Sequence, residues 1–170
     1  MKIPLDYICI KSGVLCPRCR KLIESGEVAE YEVDVIRSLI ELEEKEQQFR
    51  FLRDTSYIKT YRVDDLYIVI LEMPDNVHSH MIARLSRALS DKLGARVKVI
   101  RKSNDVKNVI AQILSPARIQ GINTVWLPDG SVQHIVRIPR YDARYLPASI
   151  ESLEKLFREM FNEVFRIRIV

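Results

Sequence analysis

Apolar and polar positions follow two distinct periods along this chain, and elements end where the period changes. The runs Tyr67-Ile68-Val69-Ile70-Leu71 and His134-Ile135-Val136-Arg137-Ile138 read as strands, each followed closely by a proline, Pro74 or Pro139. From Met81 to Leu93, and again from Ile150 to Phe161, apolar residues return at helical spacing. A strand then follows each helix, at residues 96–100 and 166–170. The second strand, helix and strand lie 67, 68 and 70 residues after the first set, a drift that falls in loops. The sequence therefore reads as two similar α/β units in tandem.

The remaining elements complete the repeat. Val35, Ile36, Leu39, Ile40 and Leu42 predict an amphipathic helix over 33–48, with Glu41, Glu43, Glu44 and Glu46 as its solvated face. Residues 58–63 and 66–71 predict a hairpin turning at Asp64-Asp65, and Gly94 is placed to cap the helix before it. In the second half, Ser103 or Asn104 caps a helix carrying Val106, Val109, Ile110, Ile113 and Leu114 on one face, which stops before Pro116. Strands over 119–127 and 132–138 flank a Pro128-Asp129-Gly130 turn. The order α-β-β-α-β thus occurs twice. We expect an α+β fold with a short cysteine-bearing segment at 1–30, a first domain at 31–102 and a second at 103–170.

Composition adds little to the fold and more to the surface. With 170 residues, 47% apolar, 29% charged and only 5 glycines, the chain is ordinary globular protein in which each half alone buries a modest core. The net charge of +4 hides an asymmetry: residues 1–75 hold 11 Lys+Arg against 15 Asp+Glu, residues 76–170 hold 16 against 8. A basic second half suits a polyanion or an acidic protein face. No window approaches the roughly 18 apolar residues of a membrane span, and the N-terminus lacks the apolar core of a secretion signal, so a soluble, cytoplasmic protein without a membrane partner is expected. No nucleophile elbow, phosphate-binding loop or H-E-x-x-H pattern occurs, so no catalytic residue is assigned and an enzyme is not expected.

All three cysteines lie in the first segment. Cys16-Pro17-Arg18-Cys19 is a C-x-x-C turn that aims two thiolates at one point, and Cys9 offers a third. Zinc is one reading, with His78, His80 or His134 as the distant fourth ligand. A Cys16–Cys19 disulfide and plain reduced thiols are the others. A thioredoxin-type redox turn needs a long helix directly after the motif, and Ser25-Gly26 interrupts it too early.

The paired hairpin, helix and strand blocks, with Ile113-Leu114-Ser115-Pro116-Ala117-Arg118, resemble a tandem of type II KH domains and in particular the small archaeal NusA-like proteins. That hexapeptide is similar to the Leu-x-Pro-Ala-Lys segment opening the second NusA KH unit. The resemblance covers about residues 31–170. It implies single-stranded RNA as ligand and a role in transcription elongation and termination. KH domains clamp RNA with a Gly-x-x-Gly loop, whose glycines let backbone N–H groups approach phosphates. The matching positions here read Val77-His78-Ser79-His80 and Tyr145-Leu146-Pro147-Ala148, without glycine. No clamp residue carries over. RNA contact is therefore expected from basic strand faces: Arg96, Lys98, Arg101 and Lys102 in the first unit, Arg137, Arg140, Arg144, Arg166 and Arg168 in the second. Arg118, Tyr141 and Tyr145 extend that surface. The rival expectation is a scaffold that docks RNA polymerase or the ribosome and binds no RNA.

Overall fold

The computed structural model describes all of residues 1–170. Six helices and six strands are laid out as α1 (Tyr7–Ser12), α2 (Pro17–Glu24), α3 (Glu30–Lys45), β1 (Ser56–Val63), β2 (Leu66–Glu72), α4 (Ser79–Leu93), β3 (Arg96–Arg101), α5 (Val106–Leu114), β4 (Gly121–Trp126), β5 (Val132–Ile138), α6 (Ile150–Phe161) and β6 (Val164–Ile169). Short 3-10 turns occupy Gln47–Asp54 and Arg140–Tyr145. The strands make two three-stranded sheets, ordered β1-β2-β3 and β4-β5-β6, in a mixed α+β architecture. Two compact units result, Met1–Thr60 with Tyr67–Lys102, and Ser103–Val170 with Tyr61–Leu66. No helix is long and apolar enough to cross a membrane.

In the first unit, α3 and α4 bury their apolar stripes on β2 and β3. Val35, Ile36, Leu39, Leu85, Leu89, Val69, Leu71, Val97 and Val99 form one continuous core. Each fully buried aliphatic side chain here contributes about 1.5–3 kcal/mol. The N-terminal residues are part of the same core, through Leu5, Cys9, Ile10, Cys19 and Val28. They contain two short helices, which the sequence pattern did not predict. The acidic run of α3 also differs from the expected solvated face. Glu41 pairs with Lys92 of α4 at 2.6 Å, Glu44 with Lys11 of α1 at 2.5 Å, and Glu43 with the N-terminal amine at 3.4 Å.

The second unit repeats the plan with a thinner helical layer. Strand β4 pairs antiparallel with β5, and β5 parallel with β6, in a register that sets Ile135 beside Arg166 and Arg137 beside Arg168. One face of this sheet packs on α6, where the Phe165 ring meets Phe157 and Phe161. Val136, Ile138, Phe165 and Ile167 are buried on that side. Turn chemistry follows the sequence: Gly130 takes φ +86°, and Asp129 Oδ1 accepts the Ser131 N–H at 2.9 Å. In the β1–β2 turn Asp64 takes φ +52°, a conformation that aspartate tolerates better than most residues.

Candidate nucleic-acid interface and cysteine cluster

Registered strand partners point to the same side of a sheet. Gly121, Asn123 and Val125 of β4, Gln133, Ile135 and Arg137 of β5, and Val164, Arg166 and Arg168 of β6 therefore share the face of the second sheet opposite α6. Arg166 and Arg168 are exposed and Arg137 is partly so. Arg137 reaches over β4: a Cβ on Gly121 would stand 2.9 Å from its Nη2. Its Nε is buried without a hydrogen-bond partner. Arg166 is less available, since its Nη1 lies 3.3 Å from Glu154 Oε2.

Strand β5 leads into the turn Arg140-Tyr141-Asp142-Ala143-Arg144-Tyr145. Asp142 is buried and accepts from both the backbone N and Nε of Arg118, at 3.1 and 3.0 Å. Burial pushes its carboxyl upward, but the Arg118 bonds outweigh that and hold it below the usual carboxylate range. The anchored Arg118 guanidinium lies 5.4 Å above the Tyr141 ring, and Arg144 lies 4.8 Å above Tyr145. Both tyrosines are exposed, Tyr141 at 64%. Arg140 and Arg144 are exposed as well. Two aromatic faces each paired with a cation make a surface suited to unstacked bases and phosphates.

The first unit's basic residues are placed differently. Arg96 is exposed at the start of β3, whereas Lys98 is half-buried, and burial lowers its amine to about 8. Arg101 donates to the carbonyls of Met73, Pro74 and Val77, so its guanidinium holds the β2–α4 loop. Lys102 lies 3.9 Å from Glu72. His78 sits at the N-cap of α4, but its side chain makes no capping bond, and its ring stacks on His80 at 5.7 Å.

The three cysteines come together. They are free thiols, and one ligand atom from each of Asp6, Cys9, Cys16 and Cys19 lies within 4.8 Å of the others, an arrangement that could hold a metal ion. The fourth member is therefore an aspartate thirteen residues from Cys19, and none of the histidines joins the cluster. His134 instead bonds Thr124 and Glu163 and stacks on Phe165. Asp6 was missed because a lone carboxylate ten residues before a C-x-x-C turn carries no spacing signal. Its approach to the cysteines depends on how the chain turns between α1 and α2, where Gly13 caps α1 with φ +77°.

No family model matches this chain, and no curated protein does. Among solved structures, the one titled "Crystal structure of APE1850" resembles it with a TM-score of 0.50 and 15% identity, over 78% of this chain and 96% of that one. At that identity the likeness speaks to the fold alone. The candidate site thus stands on its own geometry.

Proposed function

We propose that this chain is a tandem KH-like protein of NusA type that binds single-stranded RNA through the second unit, in transcription elongation or termination. The observation that carries the reading is the β5–β6 register, which sets Arg137, Arg166 and Arg168 on one sheet face opposite the helix-packed one. Cations so arrayed track a phosphate backbone, and the Arg118–Tyr141 and Arg144–Tyr145 pairs of the same unit offer stacking. The basic character belongs to this face rather than to the whole unit, since residues 103–170 hold nine Lys+Arg against seven Asp+Glu. The absence of glycine ahead of α4 and α6 fits a protein that grips RNA by side chains instead of a backbone clamp.

A second reading, a protein-docking module without RNA, is favoured by Trp126, which is 75% exposed on the edge strand β4. Fluorescence anisotropy with a labelled single-stranded oligoribonucleotide, repeated across a salt series, separates the two. RNA binding predicts affinity that falls steeply with salt and drops roughly tenfold in an Arg137→Ala, Arg168→Ala double variant, with a shallower salt slope. No binding at low salt, or binding indifferent to those arginines, overturns the RNA reading.

A further inference from the structure

We propose that Asp6, Cys9, Cys16 and Cys19 bind one zinc ion in a closed, four-coordinate structural site. The four ligand atoms lie within 4.8 Å of one another, and the two carboxylate–sulfur spacings are near what a tetrahedron needs. Asp6 Oδ2 lies 3.2 Å from Cys16 Sγ and 3.7 Å from Cys19 Sγ. Ligand atoms around a tetrahedral zinc stand about 3.5–3.8 Å apart, given Zn–S near 2.3 Å and Zn–O near 2.0–2.2 Å.

Three features outside that spacing point to a cation. First, every sulfur accepts a backbone N–H: Cys9 from Cys16 at 3.2 Å, Cys19 from Asp6 at 3.3 Å, and Cys16 from Cys19 at 3.4 Å. Such bonds fix where each sulfur sits in the cluster, as outer partners do around metal ligands. Second, Asp6 occupies the N-cap position of α1 yet makes no capping bond. An aspartate there ordinarily accepts from the first turn of its helix. Here Oδ2 faces the sulfurs instead, and Oδ1 accepts from Arg18 Nη2 at 2.6 Å, a partner that fixes the carboxylate's orientation as outer groups do around bound metals. Third, the set matches a divalent ion in charge, since once ligation displaces the thiol protons the three sulfurs and Asp6 carry four negative charges close together. Arg18 offsets one charge; a divalent ion balances most of the rest.

The donor set selects the ion. Thiolate sulfurs favour zinc over magnesium, calcium or manganese, and a fourth protein ligand leaves no open position for substrate, so the site is structural. Its effect on the fold follows from the helices it joins. Helices α1 and α2 have 6 and 8 residues, too short to persist on propensity alone. Yet Leu5, Cys9, Ile10 and Cys19 are buried in the core that includes Ile36 and Leu39 of α3. The ion cross-links both helices and keeps that layer in place.

The test uses the full chain purified under reducing conditions without chelator. Elemental analysis should find one zinc per chain, and Co2+ exchanged into the site should absorb in the visible as a tetrahedral ion with thiolate charge-transfer bands. Asp6→Asn should weaken zinc by at least about tenfold, the lower end of what loss of an outer partner costs a metal site, and should alter the cobalt spectrum. Three results overturn the proposal: no zinc retained or taken up by the reduced protein, a Cys16–Cys19 disulfide in place of thiols, or Asp6→Asn matching the parent in both affinity and spectrum. Should the variant fold poorly, cobalt titration of the parent still decides the coordination number and sulfur count.

Discussion

Glu154 on α6 accepts the backbone N–H of Ile167 on β6 at 2.9 Å. Strand β6 is the edge of its sheet, and an edge N–H is otherwise a template for another chain. The first unit solves the same problem at its own edge strand. Ser86 and Ser90 of α4 accept the N–H groups of Val99 and Val97, each at 3.0 Å. In both units the helix between the last two strands covers the outer strand with side-chain oxygens as well as apolar area.

Removing such an acceptor should therefore cost stability and invite association. Glu154→Ala leaves the partly buried Ile167 N–H without its partner and should destabilise by about 1–3 kcal/mol, while Glu154→Gln, which keeps an oxygen in place, should lose less. Urea unfolding of both variants measures the difference. A Ser86→Ala, Ser90→Ala variant should also show concentration-dependent association by light scattering. Equal midpoints for Glu154→Ala and the parent would remove this role for the side chain.

Glu32 is the costliest polar residue to lose. It is 1% exposed on α3, and its carboxylate accepts from Tyr57 Oη at 2.7 Å, Thr60 N at 2.9 Å, Lys59 Nζ at 3.1 Å and Ala29 N at 2.6 Å. The last bond is half of a capping box, which alanine at the cap cannot reciprocate. The others tie the helix to β1. Glu32→Ala strands the buried Thr60 N–H and removes one acceptor each from Ala29 N, Tyr57 Oη and Lys59 Nζ. Tyr57 Oη keeps Thr60 Oγ1 at 2.6 Å, and Lys59 Nζ keeps the Glu27 carbonyl at 2.9 Å. A loss of about 3 kcal/mol, the upper end for an unsatisfied buried group, is therefore expected, read as a fall in thermal or urea midpoint. Glu32→Gln should fall between, since it keeps the shape but not the charge facing Lys59.

Most of the fold was legible because it rests on periodicity. The strands at 66–72, 96–101, 132–138 and 164–169 and the helices from 79 and 150 lie where the apolar pattern puts them, within a residue or two. Helices α1 and α2 were not legible, because six or eight residues hold too few turns to establish a period. The 3-10 segment Gln47–Asp54 was missed for the same reason. Alternation also gave the facing of Arg166 and Arg168, but not the engagement of Arg101, whose three carbonyl partners come from a loop more than twenty residues earlier. Asp6 shows the limit most clearly. Of its partners, Cys9 lies on α1, Cys16 caps α2 and Cys19 lies on α2, and their convergence on one point depends on tertiary packing.

Lys98 sets a pH dependence. Burial lowers its amine from 10.5 to about 8 in the folded protein. Between those two values the unfolded chain still holds a proton that the folded chain has released, so this group makes stability rise with pH across that window. Below about pH 8 both states are protonated and the cost of burying the charge is fully present. Lys98→Met should therefore be more stable than the parent at pH 7, by an amount that shrinks toward pH 10.5. Urea midpoints of the two proteins at pH 7 and pH 9.5 measure it, and taking the difference between them cancels other groups that titrate there. A constant difference would show that Lys98 titrates at its ordinary value.

Gly121 offers a way to move Arg137 without deleting it. A methyl group at this position meets the end of the Arg137 side chain, 2.9 Å away at Nη2, and its three nearest neighbours all belong to that guanidinium. A flexible guanidinium can swing aside where a main chain could not, and Arg137 Nε loses no bond by moving, because it has none. Alanine also restricts the unfolded chain more than glycine does, a gain of about 0.4–1 kcal/mol where the backbone conformation is permitted. Gly121→Ala should accordingly fold with a stability within about 1 kcal/mol of the parent. If the proposed RNA reading holds, affinity for single-stranded RNA should fall, because the guanidinium no longer lies over Gly121. Crossing Gly121→Ala with Arg137→Ala measures the coupling: the two changes should be less than additive in RNA affinity, since both act on one side chain. Full additivity, or a large loss of stability in Gly121→Ala alone, would place the effect of Gly121 in the strand itself and not in Arg137.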